Sequence, residues 1–427
     1  MKRVVKNLES PIIYEVSVRN FSQEGTLKKL TEKLDYIRDT GVDILWLMPI
    51  FEGSKSDRKG EEGSPYAISD HRKIDERYGA EEDLKELIKE AHILGLKVIM
   101  DMVFHHTSSD SFLIKEHPEW YLKDVKGKPT RKFKEWSDIC DFDYRASEEL
   151  WDYNIETMKK WREFGIDGFR CDIVTLMPME FWKKAKSILG NVVWVGEIFE
   201  NSFVKTLREY GMEIYSAPEM HAVFDISYDY DGYEYLKNYF SGKGTLNDYI
   251  SYINMQSILY PAKAIKLRFL ENHDQPRAAY MISNINKLKN WTTLMFLLKG
   301  ATLIQAGQET ALDLSVDMFN KKEICWENGN KEFYDFFRYI IKISKDIKER
   351  CNKFKIEILL DGIVKIDWRG KNEHYMAILN LDDKFGEVEV NLDVSGIEVL
   401  NRKKIEIKNF LKISKEPLII KCQQPII

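Results

Sequence analysis

The chain reads as an α/β protein: a (β/α)8 TIM barrel with a short insertion after the third strand and a C-terminal antiparallel β domain. Three observations predict this. Short apolar runs alternate with longer amphipathic segments over roughly the first three quarters of the sequence. The alternation occurs eight times, the number a closed barrel requires. After Gln308 the texture changes to one last helical segment and then short alternating runs separated by turn residues. An open doubly wound sheet is the alternative reading of the same alternation. It commonly carries a Gly-rich phosphate loop after an early strand, and neither GxGxxG nor GxxxxGK[ST] occurs here.

The strand-like runs, in order, are Ile12–Val18, Val42–Met48, Lys97–Phe104, Gly168–Ile173, Val192–Ile198, Ala222–Ile226, Lys266–Leu270 and Thr302–Ala306. Between them lie helix-like segments, among them Leu27–Thr40, Glu81–Leu94, Glu148–Phe164, Met179–Leu189 and Asn290–Leu298. The connection Thr107 to Ala146 far exceeds the usual βα loop of about 2–6 residues, and its tryptophans Trp120 and Trp136 predict an ordered subdomain. Glu332 to Cys351 reads as a last helix. The runs Ile356–Leu360, Ile363–Trp368, Tyr375–Leu381, Glu387–Leu392, Ile397–Leu400, Ile405–Ile407 and Pro417–Ile420 then read as strands. The expected domains are barrel over 1–106 and 147–353, an inserted subdomain over 107–146, and a β-sandwich over 354–427.

Composition bounds the function. Of 427 residues, 64 are basic and 69 acidic, a net charge of −5 that gives no reason to expect nucleic acid or an anionic membrane as partner. No long uncharged apolar stretch suggests a membrane span, and the basic N-terminus has no apolar run before a small-residue cleavage site. The five cysteines are scattered without CxxC spacing, so reduced thiols and a cytoplasmic location are expected.

The chemistry centres on Gly165-Ile-Asp-Gly-Phe-Arg-Cys-Asp-Ile173. Side chains alternate along a strand, so Arg170 and Asp172 project to one side. Arg170 can hold Asp172 ionised and oriented, as a carboxylate nucleophile needs. A plain strand-end ion pair explains this stretch about as well on its own. Other runs end in polar residues too: Asp101 to His106 after the third, Glu197 on the fifth, and Asn272-His273-Asp274 after the seventh. In a barrel those ends meet at one mouth, where active sites sit. A structural explanation must hold at every one of them at once, so the functional reading is preferred.

In order and spacing, the motifs Asp101-Met-Val-Phe-His-His106, Gly168-Phe-Arg-Cys-Asp172, Val195-Gly-Glu197 and Phe269-Leu-Glu-Asn-His-Asp274 resemble those of the α-amylase superfamily, glycoside hydrolase family 13. Ser64-Pro-Tyr66 through Asp70, Ile74-Asp75 and Tyr78-Gly79 match the family's connecting text. The resemblance implies retaining hydrolysis of α-1,4-glucosidic bonds in starch-derived glucans or malto-oligosaccharides through a glycosyl-enzyme. It implies Asp172 as nucleophile, Glu197 as general acid/base and Asp274 as the third carboxylate. By the same resemblance Arg170 pairs with the nucleophile, His106 and His273 bind sugar hydroxyls, Tyr66 is an aromatic platform, Arg277 borders the cleavage subsite and Asp101 is architectural. Exo-acting α-glucosidase and transglycosylase remain alternatives. A non-catalytic homologue is disfavoured because all three acidic positions are present.

Departures from the family bear on metal. Starch-type members place Asn where this chain has His105, and a Lys-His pair after the nucleophile where this chain has Ile173-Val-Thr-Leu. Two expected calcium ligands are missing, as is a DxNxDG loop near Arg19 to Gly25, so no cofactor is expected and calcium is disfavoured. A metal on His105 and His106 is disfavoured because adjacent strand residues face opposite ways. The acidic segment Asp225 to Asp231 reads as a solvated loop. Trp120, Tyr121 and Trp136 could stack on sugar or pack under the long loop.

Overall fold

The computed structural model describes residues 9–423, so the basic start of the chain lies largely outside the described residues. Eight parallel strands close into a barrel in chain order. They are β1 (Ile12–Val16), β2 (Ile44–Leu47), β3 (Lys97–Met102), β4 (Gly168–Cys171), β5 (Val193–Gly196), β6 (Ile226–Tyr228), β7 (Ile265–Arg268) and β8 (Ala301–Gln305). Nearly every strand residue is buried, as expected where helices cover one face and the barrel interior the other. The register pairs Ile44 with Lys97, Asp101 with Arg170 and Arg170 with Val195, which sets the polar ends of β3, β4 and β5 side by side.

Helices Glu148–Phe164 and Met179–Leu189 fall where the periodicity predicts. The first starts at Ser147, whose Oγ accepts from Glu149 N at 3.0 Å, and stops at Gly165 with φ 122°. The predicted helix Leu27–Thr40 is broken into Leu27–Thr31 and Leu34–Thr40.

The sixth strand is displaced from its expected place at Ala222–Ile226. Ser216 caps a helical turn, Ala217–Met220, which takes up the residues just upstream, and the strand begins only at Ile226. The reading of Asp225 to Asp231 as a solvated loop is therefore corrected: it contains a barrel strand, and Asp229 and Asp231 are buried. Asp231 accepts from Lys266 Nζ at 2.9 Å and Tyr252 Oη at 2.6 Å, and also from the Tyr260 hydroxyl. Burial opposes the charge on Asp231, but Lys266 and the two hydroxyls outweigh it and hold the carboxyl down at about 2.

Past helix Lys331–Arg350 come β9 (Lys353–Leu360), β10 (Ile363–Arg369), β11 (His374–Asn380), β12 (Glu387–Glu398), β13 (Lys404–Lys412) and β14 (Leu418–Cys422). They form one six-stranded sheet in the order β9-β10-β11-β14-β12-β13, not the two packed sheets of a sandwich. Two of the predicted runs merge into the long β12 because no turn intervenes between Leu392 and Ile397. The sheet is stitched to helix Ile285–Leu297. Trp291 Nε1 donates to Leu381 O at 3.1 Å, Trp368 Nε1 to Leu297 O at 2.8 Å, and Asn380 N to Asn290 Oδ1 at 2.9 Å.

These contacts shift the expected boundary at 353/354. The chain divides into one compact unit of Ile12–Tyr230 with Ser315–Cys325, and another that runs from Asp231 to Leu314 and resumes at Trp326. Within the inserted segment, strands His106–Ser108 and Ile139–Asp141 pair antiparallel, so an ordered subdomain is present. Among the described residues no helix is long and apolar enough to cross a membrane, and all five cysteines are free thiols.

Gly168 opens β4 where the backbone of β5 comes close. A Cβ there would stand 2.3 Å from Val193 O and 2.6 Å from Val193 N. Gly168→Ala should destabilise the protein by about 1–3 kcal/mol, the usual cost of overpacking. Denaturant unfolding checks this, and an unchanged midpoint would contradict the tight approach.

Candidate active site

Arg170 is fully buried at the end of β4 and organises the cluster around it. Its Nη1 donates to Asp172 Oδ1 at 2.5 Å and to Asp101 Oδ1 at 2.9 Å. Its Nη2 makes an ion-pair contact with Glu197 Oε2 at 2.9 Å. Rings of Trp46, Tyr66 and Tyr228 stand 5.2, 5.6 and 5.5 Å from the guanidinium carbon and keep water away from it. Asp101 uses its other oxygen to accept from Tyr66 Oη at 3.0 Å, so it fixes both the arginine and the aromatic ring.

Glu197 lies one residue past β5. Its backbone N donates to Cys171 O at 3.0 Å, and its Oε2 accepts from Ile173 N at 3.1 Å. Ile173 reaches that position with φ 41°, in the left-handed region a β-branched residue avoids. Backbone strain of this kind costs about 1–3 kcal/mol and gathers at functional sites.

The charges do not cancel. Three carboxyl groups contact one guanidinium in a buried cluster, so retention of a proton is favoured. Burial, against the pull of Arg170, raises Asp172 above the ordinary carboxylate range, and Glu197 lies within hydrogen-bonding reach of it. A fixed carboxylate beside a proton-carrying carboxyl can attack a carbon and protonate a leaving oxygen.

Asp274, His273 and Arg277 follow β7, in the other compact unit. Asp274 keeps about half its side chain open (47%), with its backbone N donating to Asn272 Oδ1 at 3.0 Å and His273 Nε2 at 3.2 Å from its Oδ2.

Arg277 is not a subsite residue. It is 1% exposed, and its guanidinium donates to Glu271 Oε1 at 2.5 Å, Ala306 O at 2.9 Å and Leu314 O at 3.1 Å. The expectation that it borders the cleavage subsite is corrected, because every arm of the fork is spent on holding the loop after β7.

His106 Nε2 is 3.1 Å from Tyr66 O and its Nδ1 is 3.2 Å from His105 Nδ1, so a sugar hydroxyl would compete with both. The two histidines also correct the argument from strand alternation. Strand β3 ends at Met102 and the next begins at His106, so His105 is outside a strand and its ring turns toward its neighbour. Asp141, the ladder partner of His106, completes a cluster in which one donor atom from each residue lies within 4.8 Å of the others. Calcium favours an all-oxygen cage, and two imidazoles do not supply one.

Trp120 and Tyr121 pack under the loop. Both are buried, with Trp120 stacked on His117 at 3.8 Å and Tyr121 Oη 2.9 Å from Thr107 Oγ1. Trp136 is half-buried against the rings of His105 and Phe133. Sequence reasoning missed Tyr228, hidden in the segment taken for a loop, and Trp46 and Asp141, which no motif marks.

Arg277→Ala should leave the buried Glu271 carboxylate, which still accepts from Ala278 N, without its counter-charge and cost about 3–5 kcal/mol. Calorimetry checks it; a full-strength fold with only weakened substrate binding would restore the subsite role.

The alpha amylase catalytic-domain model matches residues 13–357. The fold is similar to the crystal structure of an alpha-amylase from Lactobacillus plantarum, with TM-score 0.90 and 34% identity over 96% of this chain and 98% of that one. Alpha-amylase 2 of Dictyoglomus thermophilum is 26% identical over 426 residues, covering 89% of this chain and 72% of that protein. An intracellular maltogenic amylase of Bacillus subtilis is 25% identical over 347 residues, and the match spans 75% of this chain and only 55% of that longer protein. A catalytic-domain match over most of its length, with the acidic cluster at the ends of β3, β4 and β5, makes this chain a member of the α-amylase family of glycoside hydrolases.

Proposed function

We propose that the protein hydrolyses α-1,4-glucosidic bonds in starch-derived glucans or malto-oligosaccharides with retention of configuration. The observation that carries this reading is the Arg170-locked pair, Asp172 with Glu197 beside it. In the first step Asp172 attacks the anomeric carbon while Glu197 gives its proton to the departing glycosidic oxygen. A β-linked ester forms on Asp172 and the aglycone leaves as an alcohol. In the second step Glu197, now a carboxylate, takes a proton from water as that water attacks the anomeric carbon and breaks the ester. Tyr66, whose hydroxyl donates to Asp101, lies against the ring; Asp274 and His273 are proposed, on the match to the family's motif alone, to engage sugar hydroxyls, and His106 ranks below them because its nitrogens already face protein atoms.

The steps as written need no cofactor. The cytoplasm is the proposed compartment; the five free thiols and a relative named as intracellular support it. The proposed partner is an α-glucan or malto-oligosaccharide, with neither nucleic acid nor membrane.

Asp172→Asn should cut turnover by several orders of magnitude with the fold intact by circular dichroism; near-normal turnover would remove Asp172 as nucleophile. Maltoheptaose products followed in time by chromatography, with the new anomer read by NMR, test the reaction itself. Mid-length fragments born as α-anomers are expected. Glucose alone would indicate exo-action, longer chains transfer, and β-anomers would exclude a retaining mechanism. The acid limb of kcat/KM should fall above the ordinary aspartate value of about 3.9, because a buried Asp172 becomes ionised, and so nucleophilic, only at higher pH. A limb at or below that value would contradict the burial argument.

A further inference from the structure

Asp141 is fully buried, and only one of its oxygens is satisfied: Oδ2 accepts from Lys132 N at 2.9 Å, while Oδ1 has no hydrogen-bond partner. An unpaired oxygen on a buried carboxyl group is satisfied by a proton or by a cation. The nearest ring atom is His105 Nδ1, 3.7 Å away, which itself stands 3.2 Å from His106 Nδ1. Both histidines are buried too. Arg131 and Lys132 are close enough to act on the cluster electrostatically, yet neither side chain reaches Oδ1 with a hydrogen bond.

We infer that His105, His106 and Asp141 form a binding site for a borderline transition-metal dication of the zinc class, distinct in chemistry from a calcium site. Two imidazole nitrogens and one carboxylate oxygen are a zinc-like donor set with a fourth position left open. With ligand bonds of about 2.0–2.2 Å, tetrahedral donors lie about 3.3–3.6 Å apart, and the separations of 3.2 and 3.7 Å bracket that range. The ring of His106 is already set for the role, whereas Nε2 of His105 has no hydrogen-bond partner. His106 Nε2, 3.1 Å from Tyr66 O, carries the proton it donates to that carbonyl, which leaves the Nδ1 lone pair for the metal. The ion would tie the far strand of the inserted segment, Ile139–Asp141, to the chain just beyond β3, and so act on stability more than on bond cleavage. The inference stands whether or not the proposed hydrolysis is correct, because its test reads binding.

The full-length protein, stripped with a chelator and dialysed, is titrated with zinc chloride and separately with calcium chloride by calorimetry, and bound metal is counted by mass spectrometry. One zinc per chain is expected, with a raised Tm and much weaker calcium binding. His105→Asn and Asp141→Asn should each weaken zinc binding by about 100-fold or more. Cobalt(II) bound in place of zinc should give the intense visible absorption of a low-symmetry site, lost in His105→Asn. No zinc binding by the wild-type chain, calcium binding as tight as zinc, or unaltered zinc binding by folded variants would each overturn the site.

Discussion

One buried guanidinium carries the acidic cluster. Without Arg170, the carboxyl groups of Asp101, Asp172 and Glu197 would face one another in a water-poor pocket with no counter-charge, and burial would drive them to protonate. With it, one carboxylate can stay ionised and aimed while the surplus negative charge keeps a proton close at hand. The barrel supports this arrangement directly. Asp101 is the register partner of Arg170, and Asp172, just past the end of β4, accepts from the same guanidinium. The fold thus delivers the charges in fixed positions, and the aromatic rings around the guanidinium limit the solvent that would weaken them.

The same economy governs the parts around the cluster. Ile173 holds an unfavourable backbone angle, and its amide meets Glu197. Asp231 with Lys266, and Glu271 with Arg277, are buried ion pairs that stabilise the loops and strand ends rather than the chemistry. These buried ion pairs differ from the cluster at Arg170, which is left slightly open. Asp172 and Glu197 there are 4% and 7% exposed.

Much of this was legible in the sequence. Strand ends carrying Asp101, Arg170, Asp172 and Glu197 could be read because alternation and apolar runs are local signals, and helix Glu148–Phe164 could be read from its amphipathic period. What failed was non-local. Nothing near Arg277 reveals that Glu271, Ala306 and Leu314 consume its donors. The acidic stretch at Asp225 to Asp231 looked solvated because Lys266 and Tyr252, which neutralise and hydrogen-bond Asp231, lie far along the chain. The convergence of His105 and His106 depended on where β3 stops: alternation fixes the facing of side chains only within a strand, and His105 lies beyond Met102, where the strand ends. The single C-terminal sheet was misjudged as a sandwich because strand count alone does not say how strands divide.

The central claim is that Asp172 bonds covalently to the sugar. The most direct measurement is mass spectrometry of Glu197→Gln protein mixed with α-maltosyl fluoride, whose fluoride departs without acid assistance. The intermediate should accumulate, with one maltosyl group on the peptide containing Asp172, since the base that would activate water is gone. Absence of any adduct, or an adduct on a different carboxylate, would contradict it.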